Sequence, residues 1–149
     1  MTFTSAAPAN PIRILLVDDQ PALLWGLELL IDGERPRMTV IGKAQDRDAA
    51  LRLATQTQPD LILLDLDLAG ELSLDFLPEL LSLSPARILI FTGVYEGPLH
   101  ERAVREGACG VVRKDASAEA LLQAISRAYQ SACGDQISHI ASQSNAPSL

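Results

Sequence analysis

The hydrophobic pattern of the chain switches between two kinds of segment. Short, nearly continuous aliphatic runs predict strands that are buried on both faces. These runs cover residues 12–17, 38–44, 61–67, 87–92 and 110–114. Between and after them, apolar residues recur every three or four positions, which predicts helices. The predicted helices cover residues 21–32, 46–57, most of 73–83 with Ser73 as a cap, 98–106, and a last segment capped by Ser117.

This alternation of strand and helix favours an α/β fold in which helices cover both faces of a parallel sheet. The length of 149 residues suits a single domain. We expect that domain to span residues 12–130. Residues 1–11 are small, polar and proline-containing, and are expected to form a flexible leader. Residues 131–149 lose the periodicity and are expected to form a disordered tail.

Polar side chains occur where the predicted strands end. Asp18 and Asp19 end the first strand, Asp65 the third, Thr92 the fourth and Lys114 the fifth. In a doubly wound sheet the ligand site lies outside the carboxyl ends of the strands, so these side chains should gather at one edge. Neighbouring carboxylates repel each other unless a cation lies beside them. Mg²⁺, which prefers carboxylate, water and phosphate oxygens, would supply that positive charge.

The same side chains are suited to transferring a phosphoryl group onto an aspartate. Lys114 offers a movable cation and Thr92 offers a hydroxyl donor, and both can stabilise charge on phosphoryl oxygens. The nucleophile must lie within reach of the metal, the lysine and the threonine. Asp65, at the end of the third strand, is therefore the expected nucleophile.

Four motifs occur in the order and spacing of a known family, over about residues 12–130; they read LLVDDQP, LILLDLDLAG, ILIFTG and GACGVVRKDAS. With these motifs the chain resembles the receiver domain of two-component response regulators. The stretch RKDAS followed by a helix is most similar to receivers that precede a LuxR/NarL-type helix-turn-helix domain. The resemblance implies a CheY-like, doubly wound sheet of five parallel strands in the order 2-1-3-4-5.

The resemblance also implies a role for each site residue. Asp65 would be the phosphoacceptor, and Thr92 and Lys114 would bind the phosphoryl group. The expected Mg²⁺ ligands are all oxygen donors; they are the side chains of Asp18, Asp19 and Asp65 and the backbone carbonyl of Asp67.

Such a domain is a phosphorylation switch, and its only reactions are accepting a phosphoryl group and slowly releasing it. The expected donor is a sensor histidine kinase. Phosphorylation would control partner binding, a DNA-binding output domain, or dimerisation through the helix 4–strand 5–helix 5 surface or the helix 1–helix 5 surface. Too few residues follow Tyr129 for a helix-turn-helix, so we expect a stand-alone receiver or part of a longer regulator.

Four positions depart from the family pattern. Ala69 and Asp115 stand where the family commonly has proline, and Gly93 stands where it has another small residue. Val111 stands where the family frequently has an aromatic residue that turns inward on activation. A valine cannot make that movement, so we do not expect aromatic switching.

Composition narrows the function further. The net charge of −7 argues against nucleic-acid binding by this domain, because such binding needs clustered Lys and Arg. No apolar run approaches the roughly 20 residues that span a bilayer, and the first residues lack the features of a signal peptide. We expect a cytoplasmic protein in which Cys109 and Cys133 are reduced. Trp25 is expected to be partly buried.

Two other functions remain open at this point. The D-x-D sequence at 65–67 resembles that of haloacid-dehalogenase-type phosphatases, although those enzymes place it after the first strand. Turnover of a generic phosphate ester would distinguish such an enzyme from a receiver. The chain could also be a receiver-like interaction module that works without phosphorylation, and failure to bind Mg²⁺ would favour that alternative.

Overall fold

The computed structural model describes residues 10–93 and 97–130. Nearly all of the expected leader and the whole expected tail lie outside these ranges, as do Cys133 and His139. The leader and the tail therefore stay predictions.

The described residues contain a five-stranded sheet in which every pair of neighbouring strands is parallel. Its strands are β1 (Ile12–Val17), β2 (Met38–Ala44), β3 (Leu61–Leu64), β4 (Arg87–Thr92) and β5 (Gly110–Arg113). Their order across the sheet is β2-β1-β3-β4-β5. The predicted fold class and strand order are confirmed.

Helices cover both faces of this sheet, as the strand–helix alternation predicts. They are α1 (Pro21–Asp32), α2 (Arg47–Thr57), α3 (Leu77–Leu83), α4 (Gly97–Arg105) and α5 (Ala118–Gln130). One hydrophobic core contains residues of α2, α3 and α4, and the other contains residues of α1 and α5. Among the described helices, none is both long and apolar enough to cross a bilayer.

The strands have aliphatic side chains at successive positions because alternate residues pack into the hydrophobic cores on opposite faces of the sheet. In β3, Ile62 and Leu64 belong to the core beneath α2–α4, while Leu61 and Leu63 belong to the core beneath α1 and α5. All four side chains are at most 2% exposed. Fully burying a side chain of this size contributes about 1.5–3 kcal/mol. A single aspartate at one of these positions would therefore be expected to disrupt the sheet.

The third strand is shorter than predicted, since it ends at Leu64 and not at Asp67. The residues that follow form a small antiparallel hairpin in which Asp67–Leu68 pairs with Glu71–Leu72. Both residues of its turn have positive φ, +55° at Ala69 and +83° at Gly70. Such turns fit the twist of a two-stranded hairpin. Proline has φ near −65° and could not take the place of Ala69 in this conformation.

The predicted helix over 73–83 is divided in two. Residues Ser73–Phe76 form a 3₁₀ turn, and α3 begins only at Leu77. Pro78 lies in the first turn of α3, where a missing backbone N–H breaks no helical hydrogen bond. The prediction that Ser73 caps a helix is wrong, because its hydroxyl donates to the backbone oxygen of Asp65.

Other helix ends agree with local sequence signals. The Ser117 Oγ atom accepts a hydrogen bond from the Ala120 N–H at 3.0 Å, which confirms the predicted cap. Gly107, which follows the end of α4, has a φ of +123°. The positive φ favours glycine, and a Cβ atom there would lie 2.7 Å from the Cδ1 atom of Leu81, so an added side chain would also displace the end of that leucine.

Two expectations about single side chains are wrong. Trp25 is 65% exposed, because it lies on the side of α1 opposite Leu24 and Leu27, which are buried in the core. Cys109 is fully buried and is disulfide-bonded, although we expected a reduced thiol. Two cysteines without a characteristic spacing give no local signal of a disulfide, so the expectation of a reduced thiol rested only on the general rule for cytosolic proteins.

Candidate functional site

The site begins where β1, β3 and β5 end at the same edge of the sheet. Backbone hydrogen bonds continue the sheet by one residue beyond each strand. The Asp18 N–H donates to Ala44 O at 3.0 Å, and the Asp65 N–H donates to Val17 O at 3.0 Å. These bonds fix the backbone of both aspartates, so their side chains leave the sheet at defined positions. The Lys114 N–H is held in the same way by the carbonyl of the last residue of β4, at 2.8 Å.

Three carboxylates meet at this edge. One oxygen of each of Asp18, Asp19 and Asp65 lies within 4.8 Å of the others. Asp18 and Asp65 are buried, with 2% and 5% of their surface exposed, and Asp19 is half-buried. The prediction that acidic residues from β1 and β3 share one pocket is therefore correct in its geometry.

Lys114 reaches into this group from the end of β5. Its Nζ atom lies 2.8 Å from Asp18 Oδ2 and 2.9 Å from Asp65 Oδ2, so one ammonium bridges two carboxylates. Three carboxylates and one ammonium leave the site with an excess of negative charge when all are ionised. A divalent cation would neutralise that excess.

Asp18 is the least satisfied member of the group. Its Oδ1 atom accepts a hydrogen bond from the Gln20 N–H at 2.9 Å. Its Oδ2 atom is buried and lacks a well-aligned hydrogen bond, so the ion pair with Lys114 is its main polar contact. A buried carboxylate oxygen in this state is costly and is a suitable ligand for a hard cation. Together with the neighbouring carboxylates, it forms an oxygen donor set that fits Mg²⁺.

The hairpin after β3 contacts the other two carboxylates. The Ala69 N–H donates to Asp19 Oδ2 at 3.0 Å, and the Asp67 N–H donates to Asp65 Oδ1 at 3.3 Å. The Ala69 contact was not predicted from the sequence. Proline, which the family commonly has at that position, has no N–H to donate.

Burial and charge shift the ionisation of two of these groups. Burial raises the pKa of Asp65 to about 6, and the Asp18 charge adds to this effect while Lys114 opposes it. Burial by itself would lower the pKa of Lys114. Hydrogen bonds and charges of Asp18 and Asp65 outweigh burial, however, and hold the pKa of Lys114 above its ordinary value.

Thr92 and Asp67 are the two remaining residues of the predicted site. Thr92 lies on the strand beside β3, and Asp67 follows Asp65 by two positions along the chain. Thr92 is the last residue of β4, the strand that pairs with β3, and it is 1% exposed. Asp67 has an exposed side chain, and the role expected for its carbonyl oxygen stays a prediction.

Ser73 contacts the site, although the sequence predicted that it caps a helix. Its hydroxyl donates to the backbone oxygen of Asp65 at 2.7 Å. A serine before a helical pattern indicates a cap, and no local signal distinguishes that use from a contact with a residue eight positions earlier.

Comparison with known proteins agrees with this geometry. The sequence model of the response regulator receiver domain family matches residues 14–126, which is more than half of the chain. The chain belongs to the response regulator receiver domain family. Its relatives include the nitrate/nitrite response regulator protein NarL of Escherichia coli strain K12, which is 37% identical over 129 residues. That match covers 86% of this receiver but only 58% of NarL.

Solved structures give the same result. A LuxR-family two-component response regulator from Aurantimonas sp. SI85-9A1 has a TM-score of 0.76 and 33% identity, and the match covers 89% of this receiver and 97% of that chain. A response regulator from Burkholderia pseudomallei, solved with a phosphorylated aspartic acid, a calcium ion and citrate, has a TM-score of 0.63 and 33% identity. That match covers 74% of this receiver and 64% of that chain.

Membership of this family establishes a signalling domain of two-component systems. Members of the family bind Mg²⁺ at an acidic pocket, and the group of Asp18, Asp19 and Asp65 is compatible with such a pocket.

Proposed function

We propose that this receiver accepts a phosphoryl group on Asp65 from the phosphohistidine of a sensor histidine kinase, in a Mg²⁺-dependent reaction. The observation that carries the proposal is the position of Lys114, whose ammonium lies within 2.9 Å of both Asp18 and Asp65. This arrangement supports the proposal, because a nucleophile, metal ligands and a cation that binds phosphate must lie within a few ångströms of one another for such a transfer.

In the proposed reaction, a carboxylate oxygen of Asp65 forms a bond to phosphorus as the phosphorus–nitrogen bond of phosphohistidine breaks. The electron pair of that bond returns to the imidazole, which then takes up a proton. Lys114 and Thr92 bind the oxygens of the transferred group. Mg²⁺ would be held by Asp18, Asp19, Asp65 and the carbonyl of Asp67, and when bound it would supply positive charge to the phosphoryl oxygens.

Phosphorylation would also change what Lys114 binds. The new phosphoryl group competes with Asp18 for the ammonium and draws Lys114 and Thr92 towards Asp65. Because these residues end β4 and follow β5, we propose that α4, β5 and α5 repack in response. Val111 on β5 packs against the core and contributes through its volume, not through rotation of an aromatic ring.

Labelling with a small phosphodonor such as acetyl phosphate tests the assignment. We expect Mg²⁺-dependent incorporation of one phosphoryl group into the unmodified receiver and none into Asp65→Asn. Asp48→Asn, which changes an exposed aspartate on α2, is the matched control and should be labelled normally. Labelling that persists in Asp65→Asn would refute the assignment of Asp65 as the phosphoacceptor.

The same protein allows the two alternatives to be tested. A phosphatase would release many equivalents of product from a generic phosphate ester, whereas a receiver should release almost none. An interaction module that works without phosphorylation would neither bind Mg²⁺ nor be labelled. The geometry around Lys114 favours the receiver function over both.

The chain spans 58% of the length of NarL, a curated relative, so the activity of a whole regulator is also a proposal. We propose that this receiver, in the cytoplasm, controls a transcription regulator, either through a DNA-binding domain on the same polypeptide or through a partner. Expression of the full reading frame would show whether a helix-turn-helix follows. Its net charge of −7 argues against direct DNA binding by the receiver itself.

Two surfaces are candidates for a homodimer of the phosphorylated form. Helix α1 exposes Trp25 and Leu29, which are 65% and 58% exposed. A groove of about 480 Å³ is formed by β5 and α5, and Val111, Ala120 and Ala124 contribute to its lining. Sedimentation equilibrium of Trp25→Gln and Ala124→Glu would distinguish these surfaces, because only the variant at the true interface should become monomeric. A phosphorylated receiver that is itself monomeric would refute both.

A further inference from the structure

The segment from Asp65 to Ser73 is closed by two hydrogen bonds from its last residue. The Ser73 hydroxyl donates to the backbone oxygen of Asp65 at 2.7 Å. The Ser73 N–H donates to the backbone oxygen of Leu66 at 2.8 Å. Ser73 is completely buried, so water does not compete for either bond. One residue therefore holds two consecutive carbonyl groups, beginning with that of the proposed phosphoacceptor.

Asp65 depends on these contacts because it lies one residue beyond the paired part of β3. Its N–H is held by Val17 of the neighbouring strand, and its carbonyl oxygen is held by Ser73. The backbone of Asp65 is thus anchored from both sides, once by the sheet and once by a side chain. This anchoring sets the direction in which the carboxylate leaves the backbone.

The direction of that carboxylate matters for phosphoryl transfer. The nucleophilic oxygen must lie in line with the bond that breaks, and a misplacement of about 1 Å can slow an enzyme-like reaction by about 100-fold. The Oδ2 atom of Asp65 is 2.9 Å from Lys114 Nζ, a contact that a small rotation of the backbone would lengthen.

We propose that Ser73 is a positioning residue for phosphoryl transfer, because its buried hydroxyl fixes the backbone carbonyl of Asp65 and thereby the attacking carboxylate. This inference rests on the proposed phosphorylation of Asp65. It gives Ser73 a role in rate and not only in stability.

The receiver contains a matched control for loss of a buried serine hydroxyl. Ser84 is 3% exposed, and its Oγ atom accepts a hydrogen bond from the Ala86 N–H at 3.2 Å. It precedes β4 at the end of the sheet opposite the carboxylates. Ser84→Ala and Ser73→Ala should therefore both reduce stability, but Ser84→Ala should leave the geometry at Asp65 unchanged.

The experiment compares the rate constant for labelling by saturating acetyl phosphate and Mg²⁺ in the unmodified receiver, Ser73→Ala, Ser73→Gly and Ser84→Ala. Circular dichroism first establishes a temperature at which all four proteins are folded. We expect both Ser73 variants to be labelled about tenfold more slowly, and Ser84→Ala to stay within about twofold of the unmodified rate. The Mg²⁺ dissociation constant, measured by calorimetry, should also rise in the Ser73 variants alone.

Each outcome decides the question. If folded Ser73→Ala is labelled at the unmodified rate, or if Ser84→Ala is slowed as much, Ser73 has no specific positioning role. If the unmodified receiver is not labelled on Asp65 at all, the proposed function itself fails, which is a distinguishable result.

Discussion

Replacing Asp65 by asparagine should stabilise this receiver at neutral pH, even though it removes the proposed phosphoacceptor. Burial raises the pKa of Asp65 from 3.8 to about 6, and the Asp18 charge adds to the effect. The folded state therefore binds this proton more tightly than the unfolded state does. The folded protein loses stability as the pH rises from about 4 to about 6, because folding then requires a buried charge. Asparagine resembles the protonated acid in shape and carries no charge.

The size of this effect follows from the two pKa values. The interval between 3.8 and about 6 is roughly 2 pKa units, and each unit corresponds to about 1.4 kcal/mol. The side chain of Asp65 is only 6% exposed, so solvent screens this interaction little. We therefore expect Asp65→Asn to raise the free energy of unfolding by up to about 3 kcal/mol at pH 7.5. At pH 4 the gain should nearly disappear, since the native carboxyl is then protonated.

Urea unfolding followed by circular dichroism, at pH 4 and pH 7.5 with the metal chelated, measures both values. Glu101→Gln removes an exposed charge on α4 and should change stability by less than about 0.5 kcal/mol at either pH. Saturating Mg²⁺ at 100 times its dissociation constant should stabilise the unmodified receiver by about 2.7 kcal/mol and the variant by less. The reasoning is refuted if Asp65→Asn is less stable than the unmodified receiver at pH 7.5, or if its gain is the same at both pH values.

Four further predictions concern residues around the site and the turns. Lys114→Met leaves two buried carboxylates without their cation, and chemical denaturation at pH 7.5 should show a loss of about 3 kcal/mol that diminishes at low pH. Ala69→Gly should stabilise the hairpin by up to about 1 kcal/mol because glycine favours positive φ. Ala69→Pro should destabilise it and remove the N–H that binds Asp19. Gly107→Ala should lower the free energy of unfolding by about 1–3 kcal/mol, since φ is positive there and the added Cβ would meet Leu81. Chemical denaturation measures all four variants. A variant whose unfolding midpoint equals that of the unmodified receiver would contradict the contact or backbone conformation from which its effect is predicted.

Most of the sheet could be predicted because its strands carry an unambiguous signal. The aliphatic runs of β1, β2 and β4 have the bounds that the sequence predicts. Their residues are buried whichever face they point to, so the pattern does not depend on the details of packing. The same holds for the expectation that Asp18, Asp19 and Asp65 meet, because parallel strands must end at a common edge.

The predictions that were wrong concern residues whose side chain can make more than one kind of contact, so that the sequence does not show which contact forms. Ser73 could cap a helix or bind a backbone oxygen, and only the fold brings Asp65 within 2.7 Å of its hydroxyl. Residues 65–67 follow the aliphatic run directly in the sequence, yet Asp67 belongs to a hairpin, because it pairs with Leu72 and not with a neighbouring strand of the sheet. Trp25 would gain from burial, but the core side of α1 is already occupied by leucines.

The amino-acid sequence by itself determined that this protein is a parallel α/β domain with acidic, hydroxyl and amine groups at the ends of its strands. Periodicity and strand ends are local properties, and local chemistry is sufficient to set them. The tertiary structure alone decided which groups touch: Lys114 bridging Asp18 and Asp65, the Ala69 N–H on Asp19, and Ser73 on the Asp65 carbonyl. Those contacts join residues 8 to 96 positions apart, and their distances depend on how every intervening element packs.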